Sequence, residues 1–357
     1  MQSSIHFIPD YTEILSAPID VFQFLFQFTF LVHIIFVNLA IGGIFTILLC
    51  KYLYKNNKDN DYNVIAHDLS FNNTYNISLT VTTAVAPLLF IQVLYDKLFY
   101  SSSIILAFYW LSIILAIIVA YYLNYIYKYR LFYLKYKPTG GTVFMFVVLL
   151  LFLYTAFMLV SNTLISLNPH KWVYLYKNVN FTIIPTLIPR FLHFIIGAIA
   201  LNGIFVCIYS QIKKSFSESI KIKLFILGKY MFICATLIQF IVGLWFLFSH
   251  EKIIWLKTVN GTGLLLIIFT VLASLYIIYL FLKKGSLILI AILGFITLLF
   301  MVILRRLVEI YYLEPYIKIL EHSKQYQFSA LFMFTILFII MIILFILLFK
   351  SIQKNRV

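Results

Sequence analysis

Phe22-Gln-Phe-Leu-Phe-Gln-Phe-Thr-Phe-Leu-Val-His33-Ile-Ile-Phe-Val-Asn-Leu-Ala-Ile-Gly42-Gly43-Ile-Phe-Thr-Ile-Leu-Leu-Cys50 runs from residue 22 to residue 50 without an aspartate, glutamate, lysine or arginine. A helix that crosses a bilayer needs about twenty apolar residues, and this stretch supplies more than that with one histidine inside it. Runs of the same kind recur at 76–96, 102–127, 142–167, 188–211, 226–249, 262–282, 286–307 and 328–349. The whole chain shares their character: of 357 residues, 63% are apolar and 11% charged, a mixture that cannot cover a water-soluble surface. The expected fold is an all-α integral membrane protein, a bundle of about nine transmembrane helices.

The net charge of +15 does not point to nucleic acid, because the basic residues lie in short connectors between apolar runs. With the N-terminus outside, the connectors facing the cytoplasm hold Lys51, Lys55 and Lys58; Lys128, Arg130, Lys135 and Lys137; Lys213, Lys214, Lys221, Lys223 and Lys229; Lys283 and Lys284; and the tail Lys350, Lys354 and Arg356. That is 17 of the 27 basic residues, with none before the first span. The positive-inside rule thus favours nine helices with the N-terminus out and the C-terminus in. The first residues carry Asp10, Glu13 and Asp20, the wrong charge for a cleavable secretory signal, so the first span is expected to stay as an anchor. Cys50, Cys207 and Cys234 show no Cys-x-x-Cys spacing and read as packing residues. No repeat, linker or soluble domain interrupts the chain, and residues 1–357 read as one polytopic membrane domain. The connector from Val308 to Phe328, with Glu309, Glu314, Glu321 and His322, reads as a solvated loop or a short amphipathic helix on the outer surface.

Three histidines carry the chemistry. A buried imidazole in lipid is costly unless it ligates, pairs or relays protons. At 1.5 Å per residue, His33 lies roughly 15 Å below the outer edge, His193 lies within about two turns of the outer end of span five, and His250 closes span six. Imidazoles on neighbouring antiparallel helices suit a haem iron. Haem is the shared explanation for all three, set against an ordinary rim histidine for His250 and an interfacial, hydrogen-bonded one for His193.

Four local patterns carry a family resemblance. Phe28-Thr-Phe-Leu-Val-His33-Ile-Ile-Phe-Val-Asn-Leu-Ala-Ile-Gly42 resembles the first helix of subunit I of cytochrome bd quinol oxidases. Val81-Thr-Thr-Ala-Val-Ala-Pro87 followed by Phe90-Ile-Gln92 is similar to that family's second helix, Leu159-Val-Ser-Asn162 with Asn168-Pro169 to the exit of its fourth, and Arg190-Phe-Leu-His193 to the entry of its fifth. The resemblance implies that His33 is an axial haem ligand, that His193 ligates a low-spin b haem, and that a second membrane subunit is present. Met301-Val-Ile-Leu-Arg305-Arg306-Leu-Val-Glu309 is loosely similar to the segment carrying a glutamate haem ligand followed by an arginine. Glu309 is thereby a candidate ligand, and Arg305 or Arg306 a candidate for a haem propionate.

The departures are as informative. No Asp or Glu occurs between Asp96 and Glu218, where the family's third helix carries carboxylates for haem binding and proton delivery. The glycine-rich Gly-Arg-Gly-Asp-Gln signature and the long outer quinol loop are absent, and span seven has no methionine to ligate the low-spin haem, a place His250 is expected to take. What survives is suited to holding one or more b haems near the outer face; haem d is not expected. The function expected is one-electron transfer, in a bacterial cytoplasmic (inner) membrane, between the quinone pool and an outer-face partner such as a cytochrome c or another redox subunit. His250, Glu251 and Lys252 form a candidate quinol site, able to take up the protons that a hydroquinone releases. The alternatives are a terminal quinol oxidase reducing oxygen and a cofactor-free transporter or scaffold, for which Thr82, Thr83, Pro87, Gln92 and Asn162 are the candidate polar lining.

Overall fold

The computed structural model describes residues 14–15, 19–133, 141–177, 179–319, 323–324 and 328–354. Helix α1, Ile19–Asn57, contains the whole of the first apolar run and extends it at both ends. Lys58, at a φ of 55°, turns the chain, and the Asp59 carboxylate accepts from the Asp61 N–H to cap α2, Asn60–Leu94. Helices α3, Asp96–Leu106, and α4, Phe108–Tyr133, follow, then α5, Thr142–Ser166, and the short α6, Trp172–Lys177. Helices α7, Leu187–Ile212, and α8, Glu218–Phe248, form a second long hairpin, with α8 capped by the Ser217 hydroxyl. The surface helix α9, Lys252–Val259, leads to α10, Thr262–Leu282, to α11, Leu287–Leu313, and to α12, Phe328–Lys354. A two-residue parallel pairing joins Ile14–Leu15 to Ser323–Lys324.

Among the described residues, eight helices are long and apolar enough to cross a membrane, and α12 adds a further apolar stretch, Phe332–Leu347. The chain is a multi-pass membrane protein. Its spans differ from expectation in three places.

The second begins at Asn60 rather than near residue 76. Its first half is polar, but those side chains bond to neighbouring helices instead of water: Asn73 donates to the Ala40 carbonyl, and Asn72 to the Tyr209 hydroxyl. The third is broken at Ala107, whose φ of 42° no α-helix accommodates, so that the crossing segment starts at Phe108. The eighth does not give way to a solvated loop at Val308. Its helix continues to Leu313, and a tighter turn covers Glu314–Ile319. Glu321 and His322 lie outside the described residues, as do Lys135, Lys137 and Arg356.

Two other expectations are corrected by burial. Lys51 is not in a connector but buried within α1, donating to Asn63 Oδ1 at 2.6 Å. Cys50 and Cys207 pack inside, whereas Cys234 is exposed on α8.

Helix α1 packs against α2 and α7, and α7 packs along α8. A Cβ on Gly203 would stand 2.7 Å from the Gly228 carbonyl oxygen, and one on Gly228 would stand 2.6 Å from that of Gly203, so the two backbones touch here. Without a hydrophobic drive between helices in lipid, such close approach supplies the dispersion contact that holds them together. At the Cys50 end the core is built from Ile41, Ile44, Ile47, Tyr127 and Met145. At the Phe26 end it is built from Phe26, Leu94, Tyr95, Leu164, Trp172 and Tyr312, and the candidate site lies among these.

Candidate functional site

His193 enters two turns into α7, where its ring faces α8. Gln239 Nε2 donates to its backbone carbonyl at 2.8 Å. The absence of a side chain at Gly243 lets the imidazole lie against the α8 backbone, where a Cβ would meet Nδ1 at 3.5 Å. The ring packs on Phe246, with centroids 5.7 Å apart. His250, just beyond the end of α8, packs on the same phenyl ring at 4.7 Å and approaches Tyr312 of α11 at 5.9 Å. Two histidines separated by 57 positions in sequence thus meet at one phenylalanine.

Their hydrogen bonding differs. His250 Nδ1 lies 2.8 Å from the Phe246 carbonyl oxygen. A carbonyl only accepts, so Nδ1 carries the proton and Nε2 keeps its lone pair. His193 Nδ1 is buried with no hydrogen-bond partner. His33 is turned toward α2, its Nδ1 3.4 Å from Thr83 Oγ1. The Thr83 hydroxyl donates to the Leu79 carbonyl, so it accepts from the imidazole, again leaving Nε2 as the unprotonated nitrogen.

Helix α11 brings the charges. Arg305 lies over the Phe30 ring at 4.0 Å and the Phe26 ring at 5.6 Å, fixing α11 to α1. Arg306 Nη1 donates to the Tyr95 hydroxyl at 2.5 Å. Glu309 Oε2 stands 3.8 Å from Arg305 and 3.5 Å from Arg306, and its side chain is only 6% exposed. The solvated glutamate considered from sequence is therefore a buried one. Half-buried Arg190, three residues before His193 and so on the same face of α7, lies within electrostatic reach of Arg305, Glu309, Tyr312 and His250. The amide of Gln27, one turn from Phe30 on α1, has both polar atoms buried without a partner.

The candidate quinol residues do not converge. His250 turns inward, Lys252 is exposed, and the Glu251 carboxylate is drawn to His170 Nε2 at 3.4 Å and Lys171 Nζ at 3.6 Å. Burial holds His170 below the ordinary imidazole value, against the pull of Glu251. Lys257 pairs with Glu314 farther along the same rim. Asn162, a candidate polar lining residue, uses its amide to bind Ser102 at 2.5 Å and Ser103 at 2.9 Å, tying α5 to α3.

Tyr95, Phe246, Tyr312 and Gln27 were not singled out from sequence. For Arg190 a signal existed, its i to i+3 spacing from His193; for the others only the helix contacts reveal the role. Among the described residues no three His, Cys, Asp or Glu side chains are grouped as they would be around a bare metal ion. A haem, whose porphyrin supplies four nitrogens, asks the protein for only one or two ligands.

No family model matches the chain, and no curated protein matches it. Among solved structures it is similar to a chain of bd oxidase from Geobacillus thermodenitrificans, with a TM-score of 0.73 over 92% of this chain and 96% of that one, at 13% identity. At such identity the likeness is one of fold, and it spans nearly the full length of both chains. The chain therefore has the fold of a bd oxidase chain.

Proposed function

We propose that this protein is a divergent relative of cytochrome bd oxidase subunit I that carries b-type haem and transfers electrons in the bacterial cytoplasmic membrane, between the quinone pool and an outer-face partner. The reading includes an N-terminus outside, one membrane domain over residues 1–357 and a second membrane subunit. The observation that carries it is the meeting of half-buried His193 and His250 at Phe246, next to Arg190 of α7.

The residues fit a haem. An imidazole nitrogen left without a partner in an apolar span, as at His193, is expensive unless the ring has a further use. His193 and His250 would hold the iron, His33 would hold a second haem, and Glu309 is the remaining candidate ligand. Bound there, haem b supplies reversible one-electron chemistry. The chain's part is to aim and tune. The Phe246 carbonyl, by accepting from His250 Nδ1, fixes that ring and raises the basicity of Nε2. Thr83 does the same for His33. Phe246 and Tyr312 pack against the imidazoles and keep water from them. At the rim, Glu251, with His170 at 3.4 Å, is placed to accept a proton from a hydroquinone, while His250 turns away from it, so of the candidate quinol residues it is Glu251 that keeps this role.

The test is a reduced-minus-oxidised optical spectrum of the purified protein with pyridine haemochrome quantitation, on the natural sequence and on His33→Ala, His193→Ala and His250→Ala. A b-type signal lost with His193 supports the reading, and absence of haem from well-folded protein overturns it in favour of a cofactor-free scaffold or transporter. Oxygen consumption by membranes containing the chain separates a terminal oxidase from an electron carrier.

A further inference from the structure

A groove of about 530 Å³ opens between α1 and α5. It begins at Phe45, roughly 18 Å along α1 from His33, and is separate from the candidate haem residues. Its volume is within the range of about 300–1,000 Å³ usual for small-molecule sites.

Both walls change character in the same direction. Phe45, Leu49 and Tyr52 follow one another at helical spacing on one face of α1, and Leu149, Phe146 and Thr142 do so on α5. Gly141 lies against Tyr127, and Tyr127 shares a core with Cys50 and Met145, so the start of α5 lies beside the last turns of α1. The Tyr52 phenol and the Thr142 hydroxyl therefore bound one end of the groove, and apolar Phe45 and Leu149 bound the other. One turn beyond Tyr52, α1 presents Lys55 and Asn56, both exposed. A lysine in this place lays its stem along apolar surface and holds its ammonium at the level of the headgroups.

The charges around the mouth select the sign of the ligand. The carboxylates of the neighbouring helix ends are engaged: Asp59 and Asp61 with Lys223, Asp68 with Lys213, and Glu218 with Lys221. Among the described residues no carboxylate pairs with Lys55. Residues 134–140, which lead into α5 and lie outside the described residues, include Lys135 and Lys137 and no aspartate or glutamate. A molecule that is apolar at one end, accepts hydrogen bonds in the middle and carries net negative charge at the other matches this gradient. A zwitterionic lipid offers the same tail but brings its own cation toward Lys55.

We propose that the groove between α1 and α5 is a binding site for one anionic glycerophospholipid. An acyl chain lies along Phe45, Leu49, Phe146 and Leu149, the Tyr52 and Thr142 hydroxyls meet the ester and glycerol oxygens, and the phosphate sits at Lys55. The site does not depend on the haem reading. Its lipid ties α1, the helix of His33, to α5 across a gap that the described side chains leave open.

The full-length protein, purified in detergent and depleted of lipid, is titrated separately with dioleoyl phosphatidylglycerol and dioleoyl phosphatidylcholine. Native mass spectrometry counts the lipid retained, and unfolding temperature reports stabilisation. One phosphatidylglycerol is expected to be retained at about fivefold lower concentration than phosphatidylcholine, the selectivity that a single lysine supplies at a lipid surface. Lys55→Gln should bring that ratio toward one, and Lys55→Arg should keep it. Val143 lines the groove from an exposed position, so Val143→Trp should fill the groove and reduce retention of both lipids. Lys283→Gln, at an exposed lysine on another pair of helices, should leave the ratio unchanged.

Equal retention of the two lipids by the natural sequence overturns the proposal, as does an unchanged ratio in Lys55→Gln or undiminished retention in Val143→Trp. A ratio lost equally in Lys283→Gln assigns the selectivity to general surface charge and also overturns it. Three further results assign the groove to another occupant and overturn the lipid: the same stabilisation from inorganic phosphate alone, displacement of phosphatidylglycerol by decylubiquinone, or a second polypeptide that is retained by the natural sequence and lost from Val143→Trp.

Discussion

His250 donates its Nδ1 hydrogen to the carbonyl oxygen of Phe246, 2.8 Å away, while the phenyl ring of the same Phe246 lies against both His250 and His193. One residue thus sets the tautomer of one imidazole with its backbone and the place of both with its side chain. The two histidines are not equivalent. Nδ1 of His250 is satisfied by the protein alone, and Nδ1 of His193 is not.

That asymmetry gives opposite signs for the same substitution. In haem-free protein, His193→Leu removes a buried polar atom that has no partner and should stabilise the fold by about 1–3 kcal/mol. His250→Leu removes a made hydrogen bond and should destabilise it by about 0.5–1.5 kcal/mol. Unfolding temperatures of the two variants in one detergent check this; a loss of stability in His193→Leu would show that its imidazole is satisfied in a way the structure does not contain.

Arg306 has the Tyr95 hydroxyl as its hydrogen-bond acceptor. Tyr95→Phe should cost about 1–3 kcal/mol by leaving the guanidinium donor unmet. Glu309→Ala, which strips the buried carboxylate from two half-buried arginines, should cost about 3–5 kcal/mol. The pair of variants, and their double mutant, measured by thermal unfolding, should be non-additive because both act on Arg306.

Gly203 and Gly228 permit the backbone contact of α7 with α8. Gly203→Ala places a methyl group against the Gly228 carbonyl and should cost about 1–3 kcal/mol, with Gly203→Leu costing more. The readout is the yield of monodisperse protein on size-exclusion chromatography. Because His193 faces α8 across the same pair, the alanine variant should also weaken haem retention.

His170 lies outside the spans, and its lowered value reflects burial that disfavours the imidazolium more than Glu251 favours it. For a group whose pKa is lower in the folded state, the contribution to stability is whole above the unfolded value, about 6.5, and is lost as pH falls through the folded one. His170→Gln should therefore flatten the decline of unfolding temperature between neutral and mildly acidic pH. An identical decline in both proteins would assign the acid sensitivity to another group.

The all-α character and the rough position of the apolar helices were legible from residues 22–50 and their counterparts because lipid leaves the backbone few alternatives: in hydrocarbon each N–H and C=O pairs within its own helix, so a long apolar run dictates its local structure. The relative level of two histidines along the bundle was legible too. Counting residues at a fixed rise placed His193 and His250 near one level, and both pack on Phe246. The same criterion failed at Asn60–Leu94, where Asn72 and Asn73 look like connector residues until α1 and α7 are there to accept their bonds. It also missed the break at Ala107, which no glycine or proline announces.

Which side of each helix faces which neighbour is settled by packing alone. A soluble helix shows its buried side by the period of its apolar residues, whereas a helix in lipid is apolar all round and shows none. Nothing in the sequence set Phe30 under Arg305, joined Arg306 to Tyr95 across 211 positions, or drew Arg190 toward Glu309. That these charges and imidazoles belong to a membrane protein was already readable in the apolar composition, which dictates the surrounding solvent. Their meeting at one end of the bundle depends on how α1, α7, α8 and α11 pack, because interactions between distant helices exist only once the helices are side by side.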